Sequence, residues 1–322
     1  MIKRFIRRVL GLESRGPQRV PQARHGLARS SLSASALKVC DVLAQRGYAA
    51  YVVGGAVRDL LLGISPEDFD IATDARPEQI KPLFRRALVI GRRFRLVHVM
   101  LGPETVEVST FRAADSQTGA DKGHARVLDD HGRVLRDNVF GTMEEDARRR
   151  DFTVNALYYD PASGEVIDYH GGLADLKKRT LRIIGDAETR FREDPVRMLR
   201  AVRLGAKLGL AIDAATRAPI RRLAPLLERV PPPRLFEEML KLLLSGHASA
   251  CLRQLRDATT NDYLWTPFQF EGGRDGEESK LLGFPILEQE NFPALANGAY
   301  VAFVEAPQTM AEIEAVPPKA AT

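Results

Sequence analysis

Two aspartates separated by one residue follow a glycine pair in the first third of the chain. The order is Tyr51–Val53, Gly54-Gly55 and then Asp68 and Asp70. Alternate residues of a strand project from the same face, so the two carboxylates are predicted to lie side by side. Carboxylate oxygens are ligands that hard cations such as Mg²⁺ prefer. Two such ions can activate an attacking hydroxyl and stabilise a departing pyrophosphate.

The glycine pair is predicted to open a turn between a strand and a helix. Backbone N–H groups at such a turn, together with the helix dipole, suit a triphosphate, and Arg58 can add a charge-assisted contact. Glu107 lies between Val106 and Val108, so on a strand it faces away from both neighbours. It is either a third metal ligand or an exposed strand acid.

A basic run over Arg148–Arg150 precedes Asp151 and Asn155. Arg150 can bind phosphate oxygens. Asp151 and Asn155 are four residues apart, which places them on one face of a predicted helix over Glu144–Ala156, where both can hydrogen-bond a ribose. The alternative is a solvated basic helix face.

Asp194 and Pro195 are typical of an N-cap followed by the first helical residue. Arg197, Arg200 and Arg203 then recur every third residue and predict one basic ridge. Asp194 and Arg197 together can read the hydrogen-bonding edge of a base. The alternative is a capped amphipathic helix with a solvated arginine face.

Apolar periodicity predicts a small α/β region followed by helices. The predicted strands are Tyr51–Val53, Phe69–Ala72, Leu88–Ile90, Leu96–Leu101 and Thr105–Phe111, with a hairpin over Tyr158–Asp160 and Val166–Asp168. Beyond Asp175 the predicted helices are Pro195–Leu208, Ala214–Leu227 and Leu235–Leu244. Pro231–Pro233 is predicted to separate the last two.

The charge of the chain is uneven. The 322-residue chain has a formal net charge of +5. Residues 257–322 contain 11 acidic and 3 basic side chains, a net charge of −8, so the first 256 residues carry a net charge of +13. A body this basic favours a polyanionic partner. Residues 1–30 are predicted to be a basic mobile arm, with an interfacial helix or a transit peptide as alternatives. Two isolated cysteines fit a reducing cytoplasm, and no apolar run is long enough for a membrane helix.

The combined motifs resemble the bacterial class of tRNA-CCA nucleotidyltransferases and poly(A) polymerases over about residues 48–256. They are Val53–Asp59 with Asp68-Phe69-Asp70, Arg149–Asp151 through Asn155-Ala156, and Glu193-Asp194 with Arg197. The resemblance implies an α+β protein with a polymerase-β-like nucleotidyltransferase head over 31–175. It further implies an all-helical neck and partial RNA-binding body over 176–256.

The same resemblance assigns roles to residues. Asp68, Asp70 and Glu107 would bind two Mg²⁺ ions, with ATP as substrate, and Asp151 would belong to the ribose-recognition or catalytic set. Contacts to the nucleotide are implied for Gly54, Gly55, Arg58, Arg150, Asn155, Asp194, Arg197, Arg200 and Arg203.

Two further segments favour polyadenylation of RNA 3′ ends over CCA addition to tRNA. Ile90–Val99 and Pro233–Leu243 resemble the segments that mark poly(A) polymerases. The first places Arg92, Arg93 and Arg95 where they can bind RNA phosphates. A CCA-adding enzyme and an inactive, truncated RNA-binding remnant remain the alternatives. A monomer is expected, with neither DNA nor a membrane as partner.

The resemblance is predicted to end near Arg256, and residues 257–322 form an irregular acidic tail. Within it, Trp265–Glu290 resembles the C-terminal part of tailed-phage major capsid proteins. The hypothesis is therefore a fusion, or a truncated polymerase that carries a foreign tail.

Overall fold

A computed structural model describes residues 16–91, 95–113, 127–128, 134–136, 140–248, 250–251, 254–255, 280–281 and 284–285. The contacts within the chain divide it into two compact units, Met1–Lys178 and Arg179–Thr322. The predictions for residues 1–15, for Arg92 and Arg93, and for most of the acidic tail lie outside the described residues.

The first unit is built on a mixed β-sheet. Its strands are β1 Gln18–Val20, β2 Ala50–Val53, β3 Asp70–Thr73, β4 Ala87–Ile90, β5 Leu96–Leu101, β6 Glu104–Thr110, β7 Val127–Leu128, β8 Val134–Arg136, β9 Leu157–Asp160 and β10 Glu165–Asp168. Eight of them form one sheet in the order β1-β10-β9-β2-β3-β6-β5-β4, while β7 and β8 pair with each other. In this sheet β3 and β6 run parallel, and each other neighbouring pair is antiparallel.

Helices of the first unit flank this sheet. They are α1 Gln22–His25, α2 Ala34–Gln45, α3 Gly55–Leu61, α4 Pro77–Ile80, α5 Met143–Arg149 and α6 Gly172–Lys177. Helix α2 begins after Ser33, whose side chain accepts a hydrogen bond from the Ala36 amide, and it packs against β2, β3 and β6. Strand alternation buries Val97, Val99, Val106 and Val108 on one face and turns His98 and Glu107 to the opposite, partly exposed face.

The predicted mobile arm over 1–30 is wrong for its described part. Residues Gln18–Val20 pair with β10 at the edge of the sheet, and Val20 is buried. Arg29 donates to the carbonyl of Pro161 and to the Asp41 carboxylate. A basic composition predicted a solvated segment, but backbone pairing with β10, the buried Val20 and the Arg19–Glu165 ion pair attach it to the sheet.

The second unit is mainly helical. Its helices are α7 Ala187–Glu193, α8 Val196–Leu208, α9 Ala214–Arg217, α10 Ile220–Leu223 and α11 Pro232–Leu243. Helix α8 buries Met198, Leu199 and Val202, and α11 packs against it. A short parallel pair of strands, β11 Thr180–Leu181 and β12 Ala211–Ile212, departs from the all-helical expectation. Within the predicted tail, β13 Lys280–Leu281 pairs with β14 Phe284–Pro285.

Prolines changed two of the predicted helix boundaries. The predicted helix over Ala214–Leu227 is interrupted at Pro219, because proline lacks the N–H that an interior position needs. The chain continues as α10 and then as a 3-10 helix over Ala224–Arg229. Helix α11 instead begins at Pro232 and contains Pro233, since first-turn N–H groups have no helical partner in any case. In the described part of the chain, no helix has the length and hydropathy needed to cross a membrane.

Candidate active site

Three predicted carboxylates meet on the open face of the sheet. Asp70 on β3 lies directly opposite Glu107 on the parallel strand β6, and such partners lie about 4.8 Å apart and point to the same side. Asp68 precedes β3 by two residues, and the buried Phe69 separates the two aspartates. The strand begins at Asp70, one residue later than predicted. Asp68, Asp70 and Glu107 are called the carboxylate row below.

Burial and the neighbouring carboxylates change the ionisation of Asp70. Burial, followed by the neighbouring Glu107 and Asp68 carboxylates, raises the pKa of Asp70 to about 7, although Arg150 acts in the opposite direction. A cation would favour the ionised form. Oxygen-only donors are the set that Mg²⁺ prefers, so the residues present fit this ion by their chemistry. Among the residues that the structure describes, no group of three or more His, Cys, Asp or Glu side chains has the geometry of a formed metal site.

Glu107 has a second neighbour across the sheet. His98 on β5 is its direct cross-strand partner, and His98 Nε2 lies 3.5 Å from Glu107 Oε2. Both side chains are partly exposed, at 34% and 43%. The sequence analysis missed this histidine, although the alternation of β5 was sufficient to place it on the face of Glu107.

Gly54 occupies a position that only glycine adopts without strain. It directly follows β2, is the N-cap of α3 and has φ 78° and ψ −130°. A Cβ atom at this position would lie 3.4 Å from Arg150 Nη1 and 3.8 Å from the Asn155 carbonyl oxygen. The turn therefore brings the backbone of Gly54 close to the Arg150–Asn155 segment, an approach that the missing side chain of glycine permits.

Asn155 connects two predicted site residues through both ends of its amide. Arg58 Nη1 donates to Asn155 Oδ1 at 2.6 Å, and Asn155 Nδ2 donates to Asp151 Oδ1 at 3.0 Å. Arg58 and Asn155 are both buried, and Arg58 also pairs with Asp59. Arg58 is thus held inside the head, which differs from the expectation of an open phosphate contact.

The predicted helix over Glu144–Ala156 is wrong at its C-terminal end. Helix α5 stops at Arg149, Arg150 is extended, and Thr153–Asn155 forms a 3-10 turn. Asp151 and Asn155 therefore do not share a helix face, although the turn still brings them into contact. Thr153 Oγ1 donates to the buried Asp175 carboxylate at 2.7 Å and anchors this turn.

Arg150 is fixed by a second group of polar side chains. It donates through Nε to the Tyr158 hydroxyl at 3.2 Å and through Nη2 to Asp146 at 3.2 Å. The Tyr158 hydroxyl donates to the same carboxylate at 2.6 Å. The guanidinium therefore has a defined orientation beside Gly54, although neither Asp146 nor Tyr158 was predicted as part of the site.

Asp194 is the C-cap of α7 and not, as predicted, the N-cap of the helix that follows. The N-cap of α8 is Pro195, and Asp194 follows the last residue of α7. Asp194 Oδ2 accepts a hydrogen bond from Arg234 Nη2 at 2.5 Å, whereas Asp194 Oδ1 is buried and has no hydrogen-bond partner among the described residues. A buried acceptor of this kind can receive a donor from a ligand.

The predicted arginine ridge is paired with acids of the second unit. Arg197 Nη1 donates to the Arg190 carbonyl oxygen at 2.8 Å and to Glu193 at 3.0 Å. Arg200 and Arg203 each lie 3.4 Å from the carboxylate of Glu238, which is buried on α11. The three arginines are thus ordered by intramolecular contacts, and Glu238 is a residue that the sequence analysis missed.

Of the three arginines predicted to bind RNA in the head, the structure describes Arg95. Its Nη1 lies 2.5 Å from Glu78 Oε1, and both side chains are exposed. Arg92 and Arg93 lie outside the described residues.

Comparison with known proteins identifies the family. The sequence model described as the poly A polymerase head domain matches residues 50–182. A second one, described as a probable RNA and SrmB-binding site of polymerase A, matches residues 209–265, nine residues beyond the predicted end of the resemblance. The solved CCA-adding enzyme of Bacillus stearothermophilus, in complex with CTP, is 31% identical with a TM-score of 0.62, over 87% of this chain and 67% of that one. The chain belongs to the family of poly(A) polymerases and CCA-adding enzymes.

Both branches of the family contain close relatives. Poly(A) polymerase I of Salmonella typhi is 49% identical over 265 residues, which cover 80% of this chain and 57% of the relative. The CCA-adding enzyme of Streptococcus pyogenes serotype M2 is 39% identical over 238 residues, which cover 74% and 56%. The chain thus spans little more than half the length of these curated relatives. The α+β fold with a nucleotidyltransferase head, predicted from the resemblance, is confirmed.

Proposed function

We propose that the chain is a template-independent RNA 3′-end nucleotidyltransferase that adds AMP from ATP. The observation that carries this proposal is the carboxylate row beside the Gly54 turn: Asp70 is paired with Glu107 on one side and with Val53, the residue before Gly54, on the other, within a head of this family. Polyadenylation is favoured over CCA addition because relatives named poly(A) polymerase I match at 49% identity and those named CCA-adding enzymes at 39%.

Each part of the head has a proposed task. Asp68, Asp70 and Glu107 hold two Mg²⁺ ions, which when bound lower the pKa of the RNA 3′ hydroxyl and neutralise the triphosphate. The amides of Gly54 and Gly55 and the guanidinium of Arg150 bind the phosphates. Asp151 orients the ribose hydroxyl groups. Arg58 and Asn155 hold the turn and Asp151 in position from inside the head.

The second unit has a proposed task in selecting the nucleotide. Asp194 Oδ1, a buried acceptor, and the ordered guanidinium of Arg197 discriminate the base. Arg200 and Arg203, together with the Arg92, Arg93 and Arg95 segment, supply positive charge for the nucleotide and the RNA. The proposed partner is an RNA 3′ end, bound by a monomer in the cytoplasm.

A primer-extension assay tests this function. A short RNA is incubated with Mg²⁺ and each labelled nucleoside triphosphate separately, and the assay is repeated with tRNA lacking its 3′ end. Long ladders with ATP on general RNA are expected. C and A additions that stop on tRNA would transfer the assignment to CCA repair, and no incorporation by folded protein would favour an inactive RNA-binding remnant.

Asp68→Ala provides the control on the mechanism. Asp68 is exposed and outside the strand, so its loss should abolish incorporation while the far-UV circular dichroism spectrum stays unchanged. Appreciable residual activity would refute the assignment of the carboxylate row.

A further inference from the structure

An exposed apolar shelf lies beside the carboxylate row on the same face of the sheet. The shelf consists of Leu88 and Ile90 on β4 and Leu96 and His98 on β5. Leu88 is directly opposite His98, and Ile90 is directly opposite Leu96. Because these pairs are two residues apart along each strand, all four side chains project from one face.

This face is open rather than packed. Leu88 is 56% exposed, which makes it one of the most exposed large apolar side chains of the described chain, and the His98 side chain is 34% exposed. Val97, between Leu96 and His98, points the other way and is fully buried. The core therefore uses the opposite face of β5 and leaves the shelf available to a ligand.

Register connects the shelf to the reacting centre. Leu88 is the partner of His98, His98 of Glu107, and Glu107 of Asp70, so the four lie in one row across β4, β5, β6 and β3. Adjacent strands are about 4.8 Å apart. When the RNA 3′ hydroxyl lies at the carboxylates, the nucleoside that carries this hydroxyl lies over the next one or two strands, about 5–10 Å away. On one side of Glu107, those strands are the ones that carry the shelf.

We propose that this shelf binds the 3′-terminal nucleoside of the RNA acceptor, with its base stacked on His98 and packed against Leu88. The inference rests on the proposed function and names the acceptor subsite of that reaction. Stacking on aromatic and apolar surfaces accepts every base, because each base has a π face. Such tolerance suits an enzyme whose product is its next acceptor. The 3′-terminal base of the starting RNA varies, and after each addition the terminal base is that of the nucleotide just added.

Two variants of His98 separate stacking from a role through Glu107, 3.5 Å from His98 Nε2. His98→Phe keeps a flat ring and loses the polar contact, whereas His98→Ala loses both. Stacking predicts that His98→Ala raises the KM for RNA by about 5-fold to 100-fold and leaves the KM for ATP unchanged, while His98→Phe restores the RNA value. If both variants lose kcat equally at an unchanged KM for RNA, His98 acts through Glu107 and the stacking assignment is overturned.

The closing experiment measures the Kd of a labelled RNA for the full chain by fluorescence anisotropy, without ATP. Two RNAs are compared, one intact and one whose 3′-terminal nucleotide lacks its base. Each RNA is titrated with wild type, Leu88→Ala, Leu88→Met and Ile64→Ala. Ile64 is another exposed apolar residue of the head, 40% exposed and off the shelf, and serves as the matched control.

Leu88→Ala is expected to raise the Kd of the intact RNA several-fold and to change the Kd of the abasic RNA little. Leu88→Met and Ile64→Ala are expected to bind both RNAs as wild type does. Equal effects of Leu88→Ala on both RNAs, or no effect on either, would overturn the subsite. A change in sedimentation on Leu88→Ala would assign the shelf to a second copy and overturn it as well. Since this binding measurement needs no catalysis, an inactive wild type in the extension assay refutes the proposed function separately.

Discussion

Replacing Asp70 with asparagine is expected to stabilise the metal-free head while it abolishes activity. The pKa of Asp70 in the carboxylate row is raised to about 7 by burial, then by the neighbouring Glu107 and Asp68 carboxylates. Asparagine has nearly the same shape and no charge. The substitution therefore removes the repulsion that wild type tolerates and also removes a proposed metal ligand.

The sign follows from proton binding. The pKa of Asp70 is about 7 in the folded protein, against an ordinary value of 3.8. Between these values the folded state holds a proton that the unfolded state has released, so the free energy of unfolding falls as the pH rises. Three pH units at 1.36 kcal/mol each set an upper bound of about 4 kcal/mol. The stabilisation by Asp70→Asn is therefore expected to grow by about 2–4 kcal/mol from pH 4 to pH 8.

Urea unfolding of the full chain at several pH values, with EDTA, measures this difference by circular dichroism. Glu104→Gln is the control, because Glu104 is the first residue of the strand that carries Glu107 and lies three residues before it. Mg²⁺ should stabilise wild type at pH 8 and have little effect on Asp70→Asn. A stabilisation that does not change with pH, or one that shrinks as pH rises, would refute the electrostatic account of the row.

Four further predictions concern the head, the second unit and the tail. Asn155→Ala leaves buried Arg58 without its 2.6 Å acceptor, so urea unfolding should show a loss of about 2–4 kcal/mol, and a loss below 0.5 would contradict the contact. Gly54→Ala places a side chain at φ 78°, which should lower the free energy of unfolding by about 1–3 kcal/mol and raise the KM for ATP. Gly63→Ala is the control, because Gly63 also has a positive φ but has open space around it, and this variant should leave the KM for ATP unchanged. Glu238→Gln loosens Arg200 and Arg203, so the KM for ATP should rise more than in the exposed-neighbour control Glu237→Gln; equal values would dismiss this positioning role. Limited proteolysis should cut beyond residue 265, where the family match ends, and leave a stable core, and a tail as resistant as the head would contradict the fusion hypothesis.

The sequence was informative wherever one chemical pattern had one structural solution. Alternation in Leu96–Leu101 and Thr105–Phe111 predicted strands that the structure contains, because a sheet with one covered face imposes that period. Gly54 was predicted at a strand-to-helix turn, where its positive φ is needed. Glu107 was left open between a ligand and an exposed acid, since the parallel register that sets it opposite Asp70 is a long-range fact.

Charged residues were the harder part of the prediction. A count of arginines predicts a free basic ridge over Arg197–Arg203, but it does not reveal Glu238, 38 residues from Arg200 in sequence. In the same way, Asn155 was expected to hydrogen-bond a ligand, and its amide instead joins Arg58 to Asp151. Partners of buried polar groups depend on tertiary packing, which local periodicity does not encode.

Two arginines of the head and the acids of the carboxylate row differ in how well their charges are compensated, and this difference supports the proposed chemistry. The cations Arg58 and Arg150 each contact a carboxylate together with a neutral polar group, Asn155 in one case and Tyr158 in the other. Among the described residues, the acids of the carboxylate row are only partly compensated: Arg150 offsets part of the burial and repulsion at Asp70, and His98 Nε2 lies 3.5 Å from Glu107 Oε2. Uncompensated negative charge is costly in a folded protein, so its retention at one point of the sheet is best explained by a ligand that supplies the missing positive charge. The same asymmetry predicts that Mg²⁺ is needed to hold the row fully ionised at neutral pH, and a pH-activity profile whose acidic limb moves to lower pH as Mg²⁺ is increased would test it.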